Sequence, residues 1–228
     1  MPKYFVGKDL QPDSDTIHHL KRVLRIRAGE EIILCDGNAL DYYCIVKSLE
    51  PFAIKVKYTK KCETELPCNV TLYQSVPKSD KLEWIIQKTV ELGISSIIPV
   101  YTEFSIVKTV KVERCQKIAE SAAGQSMRGI IPIVYKPIKW KEALETTTAL
   151  NIAAYEKEKQ YTIKTALESL NTKEIALWIG PEGGFSKKEV NDMETAGFQM
   201  ISLGPRILRT ETAAIAALAQ INLLYEGF

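Results

Sequence analysis

Hydrophobic and polar positions change rhythm along this chain of 228 residues. Up to about residue 65, apolar and polar residues alternate in short runs, the period of half-buried strands. That pattern predicts strands over residues 3–6, 31–35, 41–48 and 53–58. Asp36-Gly37-Asn38 is a strong turn signal between two of them. A short helix is expected over residues 16–24. Strands this short and closely spaced suit a small β-barrel.

Residues 61–67 are polar, aperiodic and contain a proline, and they read as a linker. Beyond them strand-like and helix-like periods alternate. Strands are expected over 70–76, 96–101, 150–155, 174–179 and 200–203. The first helix, over 80–92, places Leu82, Ile85, Ile86 and Val90 on one face. It opens on an Asp80/Glu83 capping pattern and stops at Gly93. Further helices are expected over 111–127, 162–170 and 212–224. Another starts at the Ser186/Glu189 capping box and ends before Gly197. Alternating β and α elements imply a mostly parallel sheet covered on both faces.

Composition adds bounds. The chain is 46% hydrophobic and 25% charged, ordinary for a globular protein. No apolar stretch approaches the ~20 residues of a membrane span. The N-terminus has no long apolar run with a small-residue cleavage site, so a cytoplasmic protein is expected, without a membrane partner. Five cysteines, with none in C-x-x-C spacing, and two adjacent histidines, His18 and His19, give no metal-ligand pattern, so no metal is expected. The net charge is only +2, yet residues 18–27 carry four arginines and lysines and no acid. Lys55, Lys57, Lys60 and Lys61 form a second acid-free cluster. Such clusters fit a phosphate-backbone footprint, although on charge alone a solvated face accounts for them better.

Two glycine-marked segments near the C-terminus carry the candidate chemistry. One reads Ile179-Gly180-Pro181-Glu182-Gly183-Gly184-Phe185, the other Leu203-Gly204-Pro205-Arg206-Ile207-Leu208-Arg209-Thr210-Glu211-Thr212-Ala213. Each joins an expected strand to an expected helix, where ligands of open α/β sheets sit. Neither is G-x-G-x-x-G, and no P-loop lysine follows. The first suits a ligand read by backbone groups, such as an adenine ring, or a tight turn with no ligand. In the second, Thr210 or Thr212 can cap a helix and Glu211 can favour its dipole. That leaves Arg206 and Arg209 unexplained, and arginine suits phosphate or a nucleobase carbonyl.

Together these segments resemble the signature of the RsmE family, bacterial methyltransferases acting on ring nitrogen 3 of a uridine in 16S ribosomal RNA. The resemblance runs along the chain. It includes His18-His19-Leu20 with Val23-Leu24-Arg25, residues 78–83, Gln87-Lys88-Thr89-Val90-Glu91-Leu92-Gly93, and Gln125-Ser126 with Arg128 and Pro132. Gly124 and Met127 depart from the family pattern.

The resemblance implies a PUA-like β-barrel over residues 1–66 and a SPOUT-type α/β methyltransferase domain over 67–228, with a deep C-terminal trefoil knot. It implies a homodimer acting on 16S rRNA or the small ribosomal subunit, with S-adenosylmethionine as methyl donor. Donor binding falls by position on Gly180, Glu182, Gly183, Gly184, Leu203, Gly204, Ile207 and Leu208, with the loop after 150–155 as a third wall. Arg209 and Arg128 are the candidates to stabilise a uracil anion, and Glu211 to accept its proton. RNA contacts are expected from His19, Arg22, Arg25, Gln125 and Arg128. A non-catalytic RNA-binding or ribosome-assembly protein, or a SPOUT enzyme acting at another RNA site, is the competing reading. Calorimetric titration with S-adenosylmethionine separates the first from an enzyme.

Overall fold

The computed structural model describes residues 1–78, 80–146, 150–168 and 172–226. The expected helix end at 169–170 and position 79 of the 78–83 motif lie outside the described residues. The chain forms two compact units, Met1–Glu65 with Glu120–Ile131, and Leu66–Ala119 with Pro132–Phe228.

In the first unit, β1 (Lys3–Phe5), β2 (Glu31–Cys35), β3 (Leu40–Leu49) and β4 (Phe52–Lys61) form one sheet in chain order. β1 runs parallel to β2, and the other pairs are antiparallel. Among the described residues no pairing joins β4 to β1, so the expected barrel is an open sheet. Alternation of side chains across the strands sends Ile32, Leu34, Cys44 and Val46 into a core closed by Leu20. Leu20 gets there because the expected helix is split. α1 (Ser14–His18), capped by Asp13, gives way to a π-helical turn over His19–Val23.

Polar bonds help to tie residues 120–131 into this unit. The buried Lys3 ammonium bonds Asp41 at 2.9 Å and the Met127 carbonyl at 3.3 Å. Glu65, inside the segment that reads as a linker, is engaged through both carboxylate oxygens. Its carboxylate accepts from Arg128 and from the backbone N–H groups of Gly129 and Ile130. A Cβ on Gly124 would stand 3.0 Å from the Lys3 carbonyl, which explains why this position, one of the two departures, holds glycine.

The second unit is a parallel sheet in the order β11-β9-β10-β5-β6-β7, with β8 also on β6. The strands are β5 (Asn69–Ser75), β6 (Ser96–Tyr101), β7 (Ile133–Val134), β8 (Ile138–Lys139), β9 (Leu150–Ala154), β10 (Glu174–Ile179) and β11 (Gln199–Ile201). The helices are α2 (Lys81–Glu91), α3 (Val112–Gln125), α4 (Trp140–Thr146), α5 (Ile163–Glu168), α6 (Lys187–Thr195) and α7 (Thr210–Glu226). β10 is buried along nearly its whole length, as a central parallel strand covered on both faces must be. Ala176 and Trp178 pack with Ala143 of α4 and with Val190 and Met193 of α6. α7 packs on β10, α2 and α5.

Trp178 anchors the first of these layers, stacked on Tyr73 at 4.1 Å with its ring N–H donated to Asn151. Truncating a tryptophan buried this way costs about 3–5 kcal/mol. The Ser186/Glu189 capping box of α6 is formed. The Asp80/Glu83 pattern is not: Asp80 makes no side-chain cap, its backbone being helical (φ −72°, ψ −8°) rather than extended, and Glu83 instead pairs with Arg114 at 2.6 Å.

Candidate functional site

β9, β10 and β11 are parallel neighbours, so their following loops emerge at the same edge. The three loops enclose a cavity of about 470 Å³, within the usual range for a small-molecule site. Residues 154–156 and Glu158 form one wall, 179–185 the second, and 202–204 with 206–210 the third.

The second wall turns tightly, with the Gly184 N–H donated to the Pro181 carbonyl at 2.9 Å. Gly184 has φ +71° and Gly204 has φ +114°, conformations that disfavour side chains other than glycine. The walls are tied at their base. Thr210 donates its hydroxyl to the Gly180 carbonyl at 2.6 Å and accepts from buried Gln74 at 3.0 Å. Thr210 is therefore the first residue of α7, its side chain linking α7 to the glycine loop.

Charge around the cavity is mixed. Lys81, from α2, lines it and reaches Glu182 at 3.0 Å and Glu211 at 3.5 Å. Burial pushes the Glu182 carboxyl up. Hydrogen bonds from its own backbone N–H, from Lys81 and from the Lys78 N–H outweigh that and hold it below its ordinary 4.5. Glu158 in the first wall is lowered by the backbone N–H groups of Tyr161, Gln160 and Lys159. Arg206 and Arg209 line the third wall exposed, without an ion pair among the described residues.

Gly180, Glu182, Gly183, Gly184, Leu203, Gly204, Ile207 and Leu208 all line this one cavity, together with Arg209. Glu211 does not. It sits in the first turn of α7 with its Oε2 buried and Lys81 as its charged neighbour.

Arg128 is not among the residues that line the cavity. It belongs to the first unit, is 3% exposed, and its guanidinium bonds Glu65. A buried charge of this kind is neutralised in place. His19, Arg22, Arg25 and Gln125 share that unit. Arg22, Arg25 and Gln125 are exposed, and Arg25 takes φ +53°. His19 Nδ1 and the Tyr4 hydroxyl are 2.6 Å apart.

Sequence reasoning expected a wall from the loop after 150–155 without naming Tyr155, Glu156 or Glu158, and it missed Lys81 and Ser202. Lys81 stands inside the 78–83 motif, but nothing local tells that this motif meets a loop a hundred residues on.

Comparison with known proteins adds to this geometry. The RNA methyltransferase domain family matches residues 64–222, and the RNA methyltransferase PUA domain family matches residues 12–57. The ribosomal RNA small subunit methyltransferase E of Bacillus subtilis is 35% identical, over 91% of this chain and 87% of its own. The S-adenosylmethionine-bound ribosomal RNA small subunit methyltransferase E of Neisseria gonorrhoeae is similar in structure, with a TM-score of 0.90 and 32% identity over 99% of this chain and 98% of that one. A Legionella pneumophila protein solved with bound S-adenosylmethionine gives a TM-score of 0.89 at 26% identity, covering 98% of each chain.

Proposed function

From the premise that the chain belongs to the RsmE family of small-subunit ribosomal RNA methyltransferases, we propose that its product is a uridine of 16S rRNA methylated at ring nitrogen 3. The chain is an S-adenosylmethionine-dependent enzyme acting on small-subunit rRNA. The observation that carries the reading is the single cavity between Gly180–Gly184 and Leu203–Leu208, in a fold whose relatives hold that donor.

The cavity fits the group. Its size suits a nucleoside with an amino-acid tail. Its glycine turns let the backbone come close to a ligand, and its mixed charges suit a zwitterionic ligand. Bound there, the donor supplies an electrophilic methyl group on a sulfonium. The chain's own residues do the rest. The backbone of Gly180, Gly183, Gly184 and of residues 203–208 orients the donor, and Glu182 is fixed by Lys81. Arg209 faces the same space with an uncommitted guanidinium, placed to stabilise negative charge on a uracil that has lost its ring proton. Positioning of the ring nitrogen against the methyl group supplies much of the remaining rate. Glu211, its carboxylate outside the cavity wall, holds the start of α7 through Lys81.

The first unit, residues 1–65 with 120–131, is proposed to hold the RNA through Arg22, Arg25 and Gln125, and the second unit to carry the transfer. Insertion of β10 between β9 and β5, with three consecutive loops on one cavity, supports a SPOUT-type knotted C-terminus. The active form is proposed to be a cytoplasmic homodimer. Among the described residues no helix is long and apolar enough to cross a membrane.

The test is transfer of labelled methyl from S-adenosylmethionine, run beside calorimetric titration of the donor. Donor binding with label in small-subunit but not large-subunit rRNA is expected. Donor binding without transfer to either would overturn the reading.

A further inference from the structure

The segment between β6 and α3 carries two exposed apolar side chains, Phe104 at 45% and Ile106 at 66%. The first touches the glycine wall. Phe104 Cβ and Cγ lie 3.3 and 3.4 Å from where a Cβ on Gly183 would stand, and Gly183 lines the cavity. A side chain at position 183 would crowd the ring, which would have to give by a few tenths of an ångström.

The seat is fixed by polar bonds. The Ser105 N–H donates to the Thr102 carbonyl at 3.1 Å, and the Tyr101 hydroxyl to the Lys108 carbonyl at 2.8 Å. The Glu103 N–H donates to Glu189 Oε1 at 2.8 Å, while Glu189 Oε2 accepts from the Ser186 N–H at 2.8 Å. One buried carboxylate thus clamps the Phe104 turn to the start of α6, where the glycine loop ends.

A phenyl ring held half in water beside a methyl-donor wall has an apolar face to offer. A base must leave its stack to reach an enzyme-bound reactive group, and any base presents a π-face to an aromatic side chain. Residues 104–111 also carry Lys108 and Lys111 and no acid, cations suited to the flanking phosphates. We propose that Phe104 is a stacking platform for an unstacked base of the RNA substrate, set against the loop between β10 and α6. The proposal rests on the reading that the chain methylates a base in RNA.

Full-length Phe104→Ala and Phe104→Trp are to be compared with the unmodified protein. The measurements are KM for small-subunit rRNA, donor affinity by calorimetry, and oligomeric state by light scattering. Phe104→Ala should raise the RNA KM about tenfold, near the lower end for removal of one base–aromatic stack. Donor affinity and oligomeric state should not move, and Phe104→Trp should restore the KM. An unchanged KM in Phe104→Ala would overturn the proposal. So would an equal loss of donor affinity, making Phe104 a prop for Gly183, or an altered oligomeric state, making a second copy of the chain the occupant. If the unmodified protein binds donor yet methylates no rRNA, the functional reading itself fails, before any variant is made.

Discussion

Arg209 stands exposed at the entrance to α7, lines the cavity, and has no carboxylate partner among the described residues. Its charge is available to a substrate. Removal of a preorganised charge-stabilising donor costs about 10²–10³ in kcat. Arg209→Ala is therefore expected to lower kcat by that order while calorimetry shows donor affinity nearly intact, and a matching collapse of donor affinity would refute the assignment. Arg128 is the opposite case. It is buried on Glu65, and breaking a buried pair from one side costs about 3–5 kcal/mol. Arg128→Ala should show as a lowered melting temperature before any effect on chemistry. Glu211→Gln, which keeps shape but removes the ion pair with Lys81, should leave the pH dependence of kcat unchanged. Disappearance of an ionisation from that profile would return Glu211 to the role of proton acceptor. None of these three contrasts was legible in the sequence. Arg128 and Glu65 are 63 residues apart, and which arginine keeps a free guanidinium depends on that distant pairing.

At the scale of elements, the glycine turns and the α6 cap were readable because their physics is local. A positive φ favours glycine, and Ser186 and Glu189 meet within one turn. β7 and β8 were not readable. Each is two residues long and exists only because β6 offers an edge, and α4 follows β8 directly without a cap in its sequence. Gly204 gives the cleanest test of a turn. A Cβ there meets nothing within 4 Å, so Gly204→Ala reports backbone strain alone. The left-handed conformation costs a non-glycine residue about 1–2 kcal/mol, so Gly204→Ala should lower the unfolding free energy by about that amount in a denaturant melt, and an unchanged midpoint would contradict this.

The Lys81–Glu182 link adds a pH dependence. Glu182 is held below 4.5, so its contribution is complete above that value and is lost only as pH falls through the depressed one. Lys81, raised above 10.5 chiefly by its bond to Glu182, loses its share as pH rises through the raised value. The stability contributed by this link should be level between those limits and fall on the acid side in thermal melts, with that acid limb altered in Glu182→Gln.

For the whole molecule, the succession of strands and helices revealed a parallel α/β unit behind a β-rich one. The order of strands was hidden, since period and propensity say nothing of β10 entering between β9 and β5. The same holds for residues 120–131, which join the first unit through Lys3 and Glu65 rather than through any pattern of their own. Near-neutral net charge leaves the acid-free cluster at residues 18–27 to be tested by itself. Reversing Arg22 and Arg25 should weaken RNA binding and flatten its dependence on salt, by roughly 0.7 in log–log slope for each single-strand phosphate that is no longer neutralised. An unchanged slope would make these arginines part of a solvated face.

The most direct measurement is to incubate the protein with S-adenosylmethionine and small-subunit rRNA lacking the modification, digest the RNA to nucleosides, and identify the methylated product and its position. The account predicts 3-methyluridine at a single position. A methyl group on another base, on another atom of uracil or on ribose, or an unmodified RNA, would contradict it.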